Sequence, residues 1–375
     1  YALIAYQTAW IKCNFPHEFF ASMMSVEFNN VEKLSVFFHD LKKLNILLEP
    51  PCINQSKNYF SIETCQDKKD FIRYSLSSLK NVGNEAVIKI IEIRNEKGIF
   101  KNIDDFLIKV PYNLIGKKAF ESLMKSGAFD CLDLNRNKLF NSIDMMLNYS
   151  HSIQKDKIAN QDNLFNNINS DELLIDIPNV LDWSFIEKLN NEFTSLGMYL
   201  SSHPLNNFSV VLKNLNIINS SQLLEHSQKG GKKNIQLCGL IFKVQKRLSP
   251  RGKWAVLELN DLGGNCEVIL YSDILDKFEL LLDEKKPILI DAEIKKEINK
   301  GIRVIAKRLR NFDEYIANSK FNLTLLISDL SCVKYIKLNL ETLKVGPSLI
   351  YLELLVDGSL TKIKIKENIK FTQDF

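Results

Sequence analysis

The sequence predicts a multidomain α + β protein. A helical region with a helix-hairpin-helix comes first, then an all-β barrel of the oligonucleotide-binding (OB) type, then a small α/β tail. Three observations lead there. Apolar residues recur at helical spacing through most of the first 150 positions. After Gly230-Gly231 the period switches to two, in five runs separated by turn signals. The 375 residues also exceed what a single core ordinarily holds.

Residues 1–65 read as helical. Pro16 stops a first helix that carries Leu3, Tyr6, Gln7 and Trp10. A second helix runs through Glu18, Phe19, Phe20, Met23 and Met24. Asn30 is a candidate N-cap for a third, with Val31, Leu34, Phe38 and Leu41 on one face. Pro50-Pro51 ends the region, and Ile53 to Ile62 reads as a short extended excursion. The helix-hairpin-helix DNA-binding region is placed at 66–150, and residues 70–150 read as helical again, punctuated by Gly83, Gly98, Gly116 and Gly127. Residues 151–182 are rich in Asn and Asp without helical periodicity and read as a linker. A helical connector, 183–228, starts at Trp183, and its helix ends near His203-Pro204.

The barrel is placed at 229–313. Its strands are Ile235 to Ile241, a run from Val256-Leu257, Cys266 to Leu270, Ile288 to Ile294 and Val304 to Leu309. The α/β tail is placed at 314–375, of which residues 320–375 read as strand, helix, strand, strand.

Net charge is +4 and the isoelectric point about 8.5, a mild basic excess. The chain is rich in Ile, Lys and Asn, so scattered lysines carry little weight and only acid-free clusters count. The seven cysteines are Cys13, Cys52, Cys65, Cys131, Cys238, Cys266 and Cys332. Their odd number and the lack of a C-x-x-C pair favour reduced thiols over a zinc site or disulfide framework. No secretory signal and no apolar run of membrane-spanning length is present, so a cytoplasmic protein with no membrane contact is expected. A first residue of Tyr1 rather than Met reads as a fragment of something longer.

Three segments carry binding chemistry. The first is IRYSLSSLKNVGNEAVIKIIEIR, a hairpin at Lys80-Asn81-Val82-Gly83 between two apolar-faced helices. Gly83 would let a backbone approach, and the helix start at Asn84 would offer unpaired amides to a phosphate. Lys80 and Lys89 would add charge, and Asn81 tolerates left-handed geometry. An ordinary helical corner without a ligand accounts for this segment about equally well.

The second is the acid-free run Lys229 to Lys253, with Lys229, Lys232, Lys233, Lys243, Lys246, Arg247, Arg251 and Lys253. Arg247 to Trp254 reads as the loop between the first two barrel strands, one edge of the groove in such barrels. Lys246, Arg247, Arg251 and Lys253 would track the phosphates of single-stranded DNA, with Trp254 and Tyr271 as stackers. For Trp254 a core position is weighed ahead of stacking, because it opens a strand with apolar neighbours. The third segment is Gln161-Asp162-Asn163-Leu164-Phe165 in the linker. It resembles the pentapeptide by which bacterial proteins bind the sliding clamp: Leu164 and Phe165 would enter an apolar pocket with the Gln161 amide at its rim.

YALIAYQTAWIKCNFPHEFFASMMS resembles the end of the fingers in bacterial replicative DNA polymerase III alpha subunits. NNVEKLSVFFHDLKKLNI, INQSKNYFSI, IRYSLSSLKNVG, ESLMKSGAFD, SLGMYLSSHPLNNF and RLSPRGKWAVLELNDLGGNCEVILY are similar to later segments of that family in the same order, over roughly residues 1–310. The resemblance implies a cytoplasmic DNA-directed DNA polymerase that extends primers with deoxynucleotides, using Mg2+ held by palm aspartates. Those aspartates would lie upstream of Tyr1, so this chain is assigned no catalytic residue, metal ligand or cofactor and is expected to be inactive alone. The implied partners are primer–template duplex, single-stranded template, the sliding clamp and, through a tail that matches loosely, the clamp-loader tau subunit.

Asp104-Asp105 reads as a helix start, Asn260-Asp261 as a turn and His203 as a structural corner. The runner-up is a stand-alone hairpin-plus-barrel nucleic-acid module. An NAD-dependent ligase fails because Leu355 stands where a K-x-D-G lysine would precede Asp357-Gly358. A purely structural helical protein is disfavoured by the basic run.

Overall fold

Proline has no amide to donate and a fixed φ, so it opens helices but does not continue them. In the computed structural model Pro16 accordingly separates α1 (Ala2–Asn14) from α2 (Pro16–Val26). The Asn30 side chain accepts the Lys33 amide at 3.1 Å and caps α3 (Val31–Lys43), which buries Leu34, Phe38 and Leu41. The structure describes residues 1–64, 69–111, 113–158, 175, 177–228, 233–250, 252–282, 286–297, 301–327, 332–342, 345–356 and 359–365. The chain divides into two units, Tyr1–Pro204 and Leu205–Phe375.

In the first unit the expected helix across residues 70–79 is replaced by a strand and a turn. β1 (Leu48–Glu49), β2 (Ser61–Thr64) and β3 (Asp70–Arg73) form a sheet in the order β1-β3-β2. The boundary expected at 65/66 therefore falls between two paired strands, with Ile62 opposite Ile72. Cross-strand pairing of such residues overrides the helical spacing of the window. The following helices are α4 (Asn84–Lys97), α5 (Ile103–Lys109), α6 (Lys117–Lys125), α7 (Arg136–Asn141), α8 (Ile143–Ile158) and α9 (Phe185–Leu196).

One buried cluster runs from Phe20 through Ile72, Val87, Phe106 and Met146 to Leu200. Segments 1–65 and 66–150 thus share a core, and the connector 183–228 is split between the two units. Phe100, Phe106, Phe120 and Phe129 form an edge-to-face group, with Phe106 and Phe129 centroids 5.0 Å apart. Ser184 and Glu187 make a capping box at α9, and buried Glu192 accepts the Leu200 and Ser201 amides at 2.7 and 2.8 Å.

The second unit opens with α10 (Ser209–Asn214) and α11 (Leu223–Gln228). β4 (Lys233–Ser249), β5 (Gly252–Asp261), β6 (Gly264–Tyr271), β7 (Pro287–Glu297) and β8 (Gly301–Asn311) close a barrel in the order β4-β5-β6-β8-β7. Only β6–β8 is a parallel pair; the other pairs, including β4–β7, are antiparallel. A closed barrel of five strands is the OB-type architecture expected from the sequence. The helix α12 (Ser272–Phe278) between β6 and β7 was not expected. After α13 (Phe312–Asn318) the tail runs β9 (Asn322–Ile327), α14 (Cys332–Thr342), β10 (Val345–Val356) and β11 (Ser359–Lys364), in the strand-helix-strand-strand order read from the sequence.

β4 serves two partners. Residues 233–240 pair with β7 and residues 240–249 with β5, with an irregularity between Ile241 and Lys243. Gly239 sits at the changeover. A Cβ there would meet the Asn260 carbonyl oxygen at 3.1 Å and Leu259 Cβ at 3.2 Å. The strand bends where a side chain would block the approach of β5.

Gly239→Val is therefore expected to lower the stability of the second unit by about 1–3 kcal/mol in urea unfolding, through overpacking against backbone. An unchanged midpoint would show that β5 can retreat freely. A second expectation concerns acid. Burial, then the charges of Lys42 and Lys43, push the His39 imidazole down to about 4 against the pull of Asp40. The unfolded chain binds this proton at about 6.5, so it holds more protons than the folded chain between those two values. The first unit should lose stability as pH falls through that window. His39→Gln should flatten the fall, measured as urea midpoint against pH.

Candidate nucleic-acid interfaces

The hairpin lies in the first unit. Its first arm is a 3-10 turn, Leu76–Ser78, rather than an α-helix, with the Ser77 amide held by Ser75 Oγ at 3.2 Å. Leu76, Leu79 and Val82 are buried and seat the turn. Asn81 has φ 65°, the left-handed conformation that its short polar side chain tolerates. Gly83 has φ −74°, so no special backbone geometry requires glycine there. Its contribution is open space, since a Cβ at Gly83 would have nothing within 4 Å.

Gly83 precedes α4, whose start has no side-chain cap, so the first amides of a 14-residue helix are available to an anion. Lys80, Asn84 and Lys89 are exposed, as is the acidic Glu85 in the first turn. The Lys80 amide donates to the Ser195 carbonyl at 3.0 Å, and Ser77 Oγ donates to Asn84 Oδ1 at 2.9 Å. Buried Arg94 fastens the far part of α4 by donating to the Ile53 and Ser56 carbonyls at 2.8 and 3.0 Å.

The barrel surface lies in the second unit. The expected loop Arg247 to Trp254 is the end of a long two-stranded ribbon, in which Arg247 pairs with Trp254 and Ser249 with Gly252. Trp254 in turn pairs with Tyr271. Directly paired residues point to the same face, so Arg247, Trp254 and Tyr271 form one row. Ala255, Leu257 and Leu259 belong to the barrel core, and Trp254 is one residue off that row. Trp254 is half-buried on the outer face, which corrects the core position weighed for it. The Arg247 guanidinium carbon lies 5.3 Å from the centre of its ring. Tyr271 is 48% exposed.

The basic run is acid-free only along the sequence. Folding brings Glu279 to Lys246 at 2.5 Å and Glu258 to Lys243 at 3.9 Å. The Lys246 hydrogen bond and charge, with help from Lys253, hold the Glu279 carboxyl below its usual range. Lys246 and Lys253 alternate with Arg247 and Trp254 along their strands and so fall on the opposite face of the ribbon. Lys233 contacts His226 at 3.1 Å. Sequence reasoning missed Gln245, which accepts from Arg247 at 3.1 Å and donates to Glu258 at 2.8 Å. It also missed Glu279. Two-residue periodicity could have located Gln245, but no spacing could have located Glu279.

Arg251, Lys229, Lys232 and the peptide Gln161-Asp162-Asn163-Leu164-Phe165 lie outside the described residues. The other polar candidates hold structure together. Asp105 caps its own turn and pairs with Lys109 at 2.8 Å. Asp261 accepts from Ser220, Gly263 and Gly264, and His203 packs on Tyr199. Among the described residues no group of three or more His, Cys, Asp or Glu could hold a metal, and no helix is long and apolar enough to cross a membrane.

A family model described as a helix-hairpin-helix motif matches residues 45–139. The DNA polymerase III subunit alpha of Rickettsia bellii is 31% identical over 348 residues, covering 87% of this chain and 29% of that protein. Those of Caulobacter vibrioides and Neisseria meningitidis are 30% and 32% identical, covering 79% and 82% of this chain and 25% and 26% of theirs. The chain thus spans less than a third of the length of these relatives. Among solved structures, the mitochondrial single-stranded DNA binding protein Rim1 of S. cerevisiae is matched at 6% identity and a TM-score of 0.20, over 22% of this chain and 96% of that one. The second OB-fold domain of replication protein A from Methanococcus maripaludis is matched at 13% identity and a TM-score of 0.18, over 22% of this chain and 85% of that one. With ordered similarity to subunits of one name along most of its length, the chain belongs to the family of bacterial DNA polymerase III alpha subunits, as a C-terminal portion.

Proposed function

We propose that this portion holds DNA and the sliding clamp for a replicative polymerase whose primer extension, with its Mg2+, belongs to the whole protein. The outer row Arg247, Trp254 and Tyr271 carries the reading. A cation stacked on an aromatic, beside a second exposed aromatic, suits a single strand: phosphate to the guanidinium, bases to the rings. The hairpin suits duplex backbone, with open space at Gly83 ahead of uncapped amides and with Lys80 and Lys89 nearby. Neither arrangement selects base edges, so binding should tolerate sequence and weaken with salt. The tail would contact the tau subunit.

A second reading is a stand-alone hairpin-plus-barrel nucleic-acid module, which the same outer row and hairpin would serve. Clamp binding separates the two.

Trp254→Ala is expected to weaken single-stranded DNA binding about tenfold, the loss of one stacked base. Arg247→Ala should reduce the salt slope by roughly one. Lys246→Ala, whose charge is already paired with Glu279, should change affinity by no more than about twofold. Fluorescence anisotropy with a labelled oligonucleotide over a salt series checks all three, and equal losses at Lys246 and Trp254 would contradict the assigned face. For the clamp, the parent chain should bind and a variant with Gln161, Leu164 and Phe165 all changed to Ala should not, by surface plasmon resonance. If the parent chain does not bind either, the module reading stands.

A further inference from the structure

In the second unit a cleft of about 440 Å³ opens on the outer side of the barrel, where β4, β7 and β8 run side by side. That size suits one small ligand. Asn234 and Gln236 alternate with the core residues Ile235 and Leu237, so they face out into the cleft. Leu215 and Ile218 form an apolar wall beside them. The wall is fixed to the barrel by the Ile218 amide, which donates to the Gln236 carbonyl at 3.0 Å. The cleft shares no residue with the row Arg247, Trp254 and Tyr271.

A β-bulge aims a lysine at this cleft. Asp291 pairs with Arg308 and Ala292 with Ala306, so Lys307 has no residue opposite it on β7. Its ammonium reaches Glu293 of β7 at 2.8 Å and Asn234 of β4 at 3.0 Å. An ammonium has three donors, and the third is left to a ligand. Lys233 adds a second cation to the lining, beside His226 Nδ1 at 3.1 Å. The acid of the lining, Asp291, accepts from Gln236 and from Arg310, each at 2.7 Å, so its charge is answered within the protein.

The same contacts orient two amides. Asn234 turns its carbonyl oxygen to Lys307, which leaves its NH2 as a donor. Gln236 turns its NH2 to Asp291, which leaves its carbonyl oxygen as an acceptor. Two ammonium groups against one answered carboxylate favour an anion. A donor and an acceptor beside an apolar wall favour a flat ring with a polar edge. A nucleotide carries both features in one molecule, whereas inorganic phosphate carries only the first.

We propose that this cleft binds a nucleoside monophosphate, free or as the phosphorylated end of a strand. The phosphate lies on Lys233 and Lys307, the base lies against Leu215 and Ile218, and its polar edge meets the Asn234 NH2 and the Gln236 carbonyl. The proposal does not rest on the single-strand row or on clamp binding.

The test titrates the full chain with dAMP by isothermal titration calorimetry. Saturable binding is expected, with inorganic phosphate about tenfold weaker or more. Lys233→Gln together with Lys307→Gln should weaken dAMP about tenfold, the loss of charge-assisted hydrogen bonds. Lys233→Gln alone should weaken it in the same direction, and it leaves the Lys307–Glu293 pair intact should the double variant fail to fold. In the Trp254→Ala chain, where the outer row is disabled, dAMP should still bind. There, displacement of dAMP by a 5′-phosphorylated oligonucleotide marks a strand end as the ligand, and displacement by mononucleotides alone marks a free nucleotide. No saturable binding of dAMP, phosphate binding as tight as dAMP, an unchanged affinity in the lysine variants, or loss of dAMP binding with Trp254→Ala would overturn the proposal.

Discussion

The barrel depends on one strand with two partners. β4 is 17 residues long and passes from β7 to β5 at Leu240, beside Gly239 and the irregularity at Ile241 and Lys243. That change of partner lets five strands close on themselves, and the parallel β6–β8 contact that completes the ring needs only two residue pairs, Val268 with Val304 and Ile269 with Ile305. A closed sheet buries Leu237, Leu257, Leu270 and Ile290 inside. Its outer side is also partly covered: Cys238 and Leu289 pack with Phe312, Ile316, Leu205 and Leu212. What remains of β4 runs on as a ribbon, and the pairing register that closes the barrel also sets Arg247, Trp254 and Tyr271 in line. The candidate surface is thus a consequence of closure.

In the first unit a comparable part is taken by Arg94. A buried guanidinium needs acceptors, and the Ile53 and Ser56 carbonyls supply them. The turn that offers those carbonyls is braced in turn by Ser56 Oγ, which donates to the Tyr74 carbonyl at 2.7 Å. At the start of α4, Ser77 Oγ donates to Asn84 Oδ1 at 2.9 Å and Val82 is buried beside it, while Gly83 and Asn84 stay exposed. The helix is thus tied at both ends of its length, and its first amides carry no side-chain cap.

Elements whose signal is local could be read from the sequence. Asn30 caps α3, Pro16 divides two helices, Asn81 takes the left-handed turn, and alternation in β4 to β8 located each barrel strand. What escaped depends on partners distant in sequence. β3 is a strand because β1 and β2 flank it, although its window also fits helical spacing. The short helix α12 carries too few residues for a periodic signal. The paired state of Lys246 is set by Glu279, 33 positions away. Trp254 was misjudged because apolar neighbours in sequence alternate faces in a strand, and the register places it outside.

In the proposed binding mode Trp254 faces outward and meets a base. It is one of three tryptophans, with Trp10 and Trp183. Changing Trp10 and Trp183 to Phe leaves Trp254 as the sole indole, and its fluorescence can be followed during titration with a single-stranded oligonucleotide. Quenching that saturates together with an independent anisotropy signal from the labelled strand is the predicted result. Saturating anisotropy with an unchanged indole emission would mean that DNA binds elsewhere and that Trp254 meets no base.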